Sequence, residues 1–268
     1  MEISAKYFYE KEFIISEIKK AHEAFLVKKP EHIIQKSHFD LVTEVDKNIE
    51  QYLVKKIKET FPEDNILAEE GFNDTAIKLR TWTIDPVDGT CNMASGISMY
   101  GTQCSLIENE QIVLSVIYLP FLNQTMYAVK GAGAYCNEEP IKVNATRELN
   151  NALVSLGDYP HKKGMEAAER QHNAVKKIYD KVAKIRMFGA ACVDFTYVAQ
   201  GLTDGAVLIT KNLWDLAPGM LLCEEAGAFV CDLDGNPYKI GAEGVIVADS
   251  LELKNLLVES YKKKKKME

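Results

Sequence analysis

"WTIDPVDGTCNM" (residues 82–93) sets two carboxylates, Asp85 and Asp88, three positions apart at the end of a strand-like run, with Pro86 between them and Gly89-Thr90 following. Like charges that close repel, so a fold keeps them together only with something positive between them. The alternative is a solvated turn, since Asp, Pro and Gly are all turn formers. "TWTIDP" and the earlier "NILAEEG" (65–71) are short apolar runs that break at charged residues. Buried strands that deliver carboxylates at their ends look like this.

Working outward, residues 7–27 carry Phe13, Ile14, Ile18, Ala21, Phe25 and Leu26 at a helical period. Thr43 and Asp46 stand three apart just before Ile49, Leu53 and Ile57, a helix start with a one-sided apolar stripe, and Pro62 follows its end. From Tyr100 to Val129, strand-like runs alternate with turns at "ENEQ" and "PFLNQ", which predicts an antiparallel meander. After about Ile141 the pattern changes. "ALVSLG", "KIRMFG", "GAVLIT", "AFVCD" and "GVIVA" read as strands between helical stretches at about 165–182, 191–201, 215–226 and 250–262. The fold class is therefore mixed α/β (α+β). A half of helices and antiparallel sheet (1–140) precedes an alternating α/β half (141–268), and their junction is the natural place for a small ligand.

Composition narrows the functions. The chain has 268 residues, 47% hydrophobic and 26% charged, as soluble globular proteins do. Net charge is −7, and the final "KKKKKME" sets five lysines against one glutamate, leaving the remainder at −11. A body that acidic repels a phosphate backbone, so no nucleic-acid partner is expected. The lysine run reads as a solvated tail. Six cysteines without C-x-x-C spacing point to small buried residues in a reducing compartment. No stretch approaches the length of a membrane span and the first residues lack an apolar leader, so the expectation is a cytoplasmic protein with no membrane partner.

Four acidic clusters stand where apolar stretches meet turns or helix starts: Asp40 with Asp46, Glu69 with Glu70, Asp85 with Asp88, and Asp215 after Trp214. Singly, each has a structural reading. Asp46 suits a capping box with Thr43, and Asp215 suits the N-cap of a helix with Pro218 in its first turn. Together they form an oxygen-rich set of the kind that holds Mg²⁺. A helix starting at Gly89-Thr90 would turn its first N–H groups toward a phosphate. Carboxylates for metal beside a helix N-terminus outline phosphoryl hydrolysis.

"LAEEG", "WTIDPVDGTCN" and "WDLAPGMLLCEEAGA", with "DLVTEVD" ahead of them, resemble the signatures of the inositol monophosphatase family of Mg²⁺-dependent phosphatases, in the same order over about residues 39–248. The resemblance implies a layered αβαβα sandwich, lithium sensitivity, frequent homodimers and a small phosphate ester as substrate. By position, Glu69, Asp85 and the Val87 carbonyl would hold one Mg²⁺, and Asp85, Asp88 and Asp215 a second. A third, weaker ion would rest on Glu69 and waters. The attacking water would be oriented by Thr90, hydrogen-bonded to Asp46, with Glu70 beside the cluster and Gly89 and Thr90 at the phosphate. In members acting on inositol phosphates, a glutamate seven residues before the aspartate of the Trp-Asp pair grips inositol hydroxyls; here that position is Leu208. Ala190 replaces a common Ser or Thr. Asp194 matches many relatives and would face the leaving group. Lys211 precedes Trp214-Asp215 on a loop that suits a second phosphate, as in fructose 1,6-bisphosphate, a 3′-phosphoadenosine nucleotide or NADP⁺. Arg186 admits the same reading. Cys91, next to Thr90, reads either as a small residue under the turn or as an exposed thiol. A regulatory relative without turnover is the other class, and retention of Asp46, Glu69, Asp85, Asp88, Thr90 and Asp215 argues against it.

Overall fold

Helix α1 (Phe8–Phe25) buries the stripe its periodicity predicts, with Ile14, Ile18 and Ala21 inside. The sequence reading assigns no element to the segment that follows, but an antiparallel hairpin forms there from β1 (Ile33–Ser37) and β2 (Asp40–Thr43). Helix α2 (Glu44–Thr60) starts where predicted, capped by Thr43, and buries Ile49, Leu53 and Ile57. This computed structural model describes residues 6–26, 30, 32–37, 40–71, 79–144, 148–159 and 164–262; all of the lysine run but Lys262 lies outside the described residues.

Seven strands follow in sheet order: β3 (Asn65–Ala68), β4 (Arg80–Asp88), β5 (Gly101–Glu108), β6 (Gln111–Leu119), β7 (Gln124–Val129), β8 (Ala134–Cys136) and β9 (Glu139–Ile141). Only β3 and β4 are parallel, and the predicted meander is found. The short helix α3 (Thr90–Ser95) links β4 to β5. The second sheet comprises β10 (Leu153–Leu156), β11 (Lys184–Arg186), β12 (Gly205–Leu208), β13 (Phe229–Asp232) and β14 (Val245–Ala248), in the order β11-β10-β12-β14-β13. Its joins are parallel at β10 and antiparallel at β14. Helices α4 (Gly164–Ile178), α5 (Ala191–Ala199), α6 (Leu213–Glu225) and α7 (Leu251–Tyr261) alternate with these strands.

Three apolar clusters define the layers. α1 and α2 cover one face of the first sheet through Ile14, Ile18, Ile49, Leu53, Trp82 and Leu106. α5 and α6 lie between the sheets, where Phe195, Leu216 and Met220 meet Ile117 and Met126 on one side and Ala206 and Val247 on the other. α4 and α7 close the far face through Ala174, Ile178, Leu253 and Leu257. The result is the αβαβα sandwich, and its middle core draws on both halves of the chain.

Two details differ from the sequence reading. Helix α6 begins at Leu213 with Asn212 as N-cap, so Asp215 lies inside the first turn rather than capping it. Pro218 then falls within the helix, where its own carbonyl accepts a hydrogen bond from the Ser115 hydroxyl of the first sheet at 2.5 Å. All six cysteines are free; Cys104, Cys192, Cys223 and Cys231 are buried, while Cys91 is exposed. Among the described residues, no helix is long and apolar enough to cross a membrane.

Candidate active site

In a regular strand, residues three apart point to opposite faces, so Asp85 and Asp88 would diverge. They do not, because β4 carries a bulge. Asp85 pairs with Gln103 and Asp88 with Gly101, leaving Pro86 and Val87 opposite Thr102 alone. The extra residue restores an even step and aims both carboxylates to one side. Proline suits the bulge because it has no N–H to leave unpaired.

Asp85 is 1% exposed, and its Oδ1 has no hydrogen-bond partner. The Gln103 amide reaches its Oδ2 only at 3.5 Å. Burial, then the charges of Glu69, Asp88 and Asp215, push its pKa well above the ordinary carboxylate range. Glu69 is held beside it because the parallel pairing of β3 and β4 continues past Ala68, the Glu69 N–H donating to the Ile84 carbonyl at 3.2 Å. The next N–H, of Glu70, donates to Glu50 Oε2 at 2.7 Å. Asp215 arrives from α6, and the Thr210 hydroxyl donates to its Oδ2 at 3.1 Å.

Asp88 binds the two halves together. Helix α5 has Ala190 as N-cap, which has no side-chain acceptor, and the Cys192 N–H donates to Asp88 Oδ2 instead. A carboxylate of the first sheet therefore caps a helix of the middle layer. Burial raises the Asp88 pKa against the lowering effect of the Cys192 and Ala191 N–H groups.

Asp46 is fully buried and uses both oxygens. Oδ2 accepts the Thr43 N–H at 2.9 Å and the Thr43 hydroxyl, closing the capping box. Oδ1 accepts from the Thr90 hydroxyl at 2.9 Å, and that hydroxyl lies 2.9 Å from the Val87 carbonyl as well. Burial raises the Asp46 pKa, tempered by the donors at Thr43 and Thr90. Gly89 precedes Thr90 with φ +88°, and a Cβ there would lie 2.8 Å from the Met99 carbonyl oxygen and 2.9 Å from Ala190 Cβ. Only glycine fits that turn.

The structure thus brings Glu69, Glu70, Asp85, Val87, Asp88, Gly89, Thr90, Asp46 and Asp215 to one region. Among the described residues, no three His, Cys, Asp or Glu side chains already converge into a ready-made metal shell. Asp85 and its neighbours instead stand within electrostatic reach of one another. They offer only oxygen donors, one of them a buried atom without a partner, and that donor set fits a hard divalent cation.

The residues assigned to the alcohol side are placed differently. Leu208 is 5% exposed and packs into the middle core, and Ala190 is 4% exposed. Leu208 faces apolar neighbours of the middle core, and Ala190 Cβ lies against the Gly89 turn of the site. Asp194 is buried on α5, its two oxygens without hydrogen bonds, and burial foremost pushes its pKa up to about 8. Lys211 and Arg186 are exposed. Two neighbours of the site were missed in the sequence: Gln103, which shares Asp85's rung, and Thr210, five residues before Asp215.

Comparison with known proteins follows the same lines. The family model described as "Inositol monophosphatase family" matches residues 8–266. A curated fructose-1,6-bisphosphatase/inositol-1-monophosphatase of Thermotoga maritima is 32% identical over 212 residues, covering 79% of each chain. The Nus factor SuhB of Xylella fastidiosa is 37% identical over 204 residues, 76% of this chain and 73% of that one. Among solved structures, an IMPase from Thermotoga maritima superposes with a TM-score of 0.83 at 29% identity, covering 94% of this chain and 97% of the other.

Proposed function

The chain belongs to the inositol monophosphatase family, and from that premise we propose that it is a Mg²⁺-dependent phosphomonoesterase acting on a small soluble phosphate ester. The observation that carries this reading is Asp85: a carboxylate with an unpartnered oxygen, raised in pKa by its burial and then by Glu69, Asp88 and Asp215, on a bulge that aims it beside Asp88. Two or three ions would rest on Glu69, Asp85, the Val87 carbonyl, Asp88 and Asp215. Bound Mg²⁺ supplies the positive charge this cluster lacks and makes water a stronger nucleophile at neutral pH.

The chain's own residues move the proton. The Thr90 hydroxyl has one hydrogen and two acceptors within 2.9 Å, Asp46 Oδ1 and the Val87 carbonyl oxygen. As it donates to Asp46, its oxygen is open to accept from a water and to relay that proton onward. The raised pKa of Asp46 makes it the better proton acceptor. Glu70, whose backbone is fixed through its N–H by Glu50, follows the ligand candidate Glu69 and would assist this relay. Gly89 and Thr90 open the turn at which the phosphate would sit.

The substrate side favours an ester other than inositol phosphate, since Leu208 and Ala190 provide no hydrogen bond to an alcohol. Likeness to a Nus factor supports a second reading, a regulatory protein of the same fold. Phosphate release with Mg²⁺ decides between them, measured on inositol 1-phosphate, fructose 1,6-bisphosphate, 3′-phosphoadenosine 5′-phosphate, NADP⁺ and a simple sugar phosphate. The expected result is release from at least one ester, reduced to background by Asp85→Asn in a protein that still melts cooperatively. Turnover that survives Asp85→Asn would remove the metal reading.

A further inference from the structure

Of the two residues in the bulge that brings Asp85 and Asp88 together, Val87 has its carbonyl 2.9 Å from the Thr90 hydroxyl, and Pro86, which has no N–H, is tied down through its carbonyl. Thr102, the single residue opposite, donates its hydroxyl to that carbonyl at 2.5 Å. The Thr102 oxygen in turn lies 2.6 Å from Nε2 of His22, in the last turn of α1 and 80 residues away in sequence. A carbonyl can only accept, so the one Thr102 proton goes to Pro86 and the imidazole must be the donor at Nε2. His22 Nδ1 is then the bare nitrogen, and it is buried without a partner. The ring is 6% exposed and stands edge-on to Tyr118, 5.0 Å between centroids at 86°. Burial pushes its pKa down to about 4, so it stays a neutral, single-proton donor at neutral pH.

We propose that His22 and Thr102 are positioning residues for the metal-binding carboxylates: the relay from His22 Nε2–H through the Thr102 hydroxyl to the Pro86 carbonyl holds the bulge, and with it the spacing of Asp85 and Asp88. This rests on the metal-dependent reading of the site. Neither side chain makes a hydrogen bond to Asp85, Asp88 or Thr90; they act through the peptide between the ligands. Groups that orient metal ligands from outside typically set affinity by about 10- to 100-fold.

The test is binding of Mn²⁺, whose free and bound forms electron paramagnetic resonance distinguishes, set beside the Mg²⁺ dependence of phosphate release. Thr102→Val keeps the volume and removes the hydroxyl; Thr102→Ser keeps the hydroxyl; His22→Phe keeps the ring and removes the donor. The expected result is Mn²⁺ affinity about tenfold weaker in Thr102→Val and His22→Phe, with the Mg²⁺ activation midpoint shifted equally. Thr102→Ser should stay near wild type both in affinity and in its melting midpoint in EDTA, while Thr102→Val, which leaves the buried Pro86 carbonyl and His22 N–H without a partner, should melt lower but still cooperatively. If His22→Phe does not fold, Thr102→Val against Thr102→Ser carries the comparison. Wild-type affinity in Thr102→Val would overturn the positioning role and leave the metal reading standing. No Mn²⁺ binding by the wild-type protein, or equal binding by Asp85→Asn, would overturn the metal reading and this proposal with it.

Discussion

Asp46 shows why a structural and a functional reading of one residue need not compete. Its Oδ2 closes the capping box of α2, and its Oδ1 takes the Thr90 hydroxyl. Substitutions separate the two duties. Thr90→Val removes only the relay, and should lower kcat by about 10²- to 10⁴-fold with little change in melting. Asp46→Ala should lose as much activity and also about 1–3 kcal/mol of stability, the usual cost of leaving a buried donor, here the Thr43 N–H, without its acceptor. Equal melting midpoints for the two variants would mean the box contributes nothing to the fold. The candidates Asp46, Asp85, Asp88 and Asp215 stand out in the sequence as carboxylates where apolar runs meet turns or helix starts, and their roles, with that of Thr90, come from the family resemblance of the motifs that hold them. Gln103 and Thr210 do not stand out. Gln103 reaches Asp85 only through the pairing register of β4 and β5, and register depends on the whole hairpin rather than on local residue type. The role of Cys192's N–H on Asp88 was hidden for a stronger reason, since it exists only once the two halves dock.

At the scale of elements, the middle helices set the site's precision. α6 carries Asp215 in its first turn and Gly219 one turn later. A Cβ at Gly219 would lie 1.9 Å from Cδ2 and 2.1 Å from Cγ of Phe195 on α5, so the two helices touch through a missing side chain. Gly219→Ala gains about 1 kcal/mol of helix propensity but must part the helices, an overpacking cost of typically 1–3 kcal/mol or more. The net expectation is destabilisation, read as a lower urea midpoint, together with weaker Mg²⁺ activation because Asp215 shifts with α6. An unchanged urea midpoint would show that Phe195 yields without cost. The sequence predicted α6 two residues late because Trp-Asp reads as a cap followed by a first-turn proline. In the fold, Asn212 takes the cap, and Pro218 sits deeper, its carbonyl satisfied by Ser115 across the layer boundary. The β1–β2 hairpin is not legible because its strands give out in polar residues, Gln35-Lys36-Ser37 and Asp40, and Ile33 and Ile34 stay exposed, so no sustained apolar run or alternation marks it.

For the whole molecule, burying this much acid makes stability depend on pH in a direction that the cation should reverse. The pKa values of Asp46, Asp85, Asp88 and Asp194 are all raised in the fold, Asp194 to about 8. A raised carboxylate binds protons more tightly folded than unfolded, so its stabilising share is complete below the ordinary value and is lost as pH rises through the folded one. His22 runs the other way: lowered from 6.5 to about 4, it weakens the fold as pH falls across that window. The two effects oppose each other below pH 6.5, and above it only the carboxylates remain. In EDTA, the melting midpoint should therefore decline from pH 6.5 to 8.5. Mg²⁺ binds the ionised cluster, so the rise in midpoint it produces should be larger at pH 8.5 than at pH 6. Asp194 makes the argument specific, since it is 1% exposed and has neither oxygen hydrogen-bonded. Asp194→Asn keeps its shape and removes its titration, so in EDTA it should exceed wild type at pH 8.5 by at least about 2 °C and approach it at pH 5. Parallel melting curves for the two proteins across that range would mean that Asp194 carries no buried charge, and that the decline belongs to the metal cluster alone.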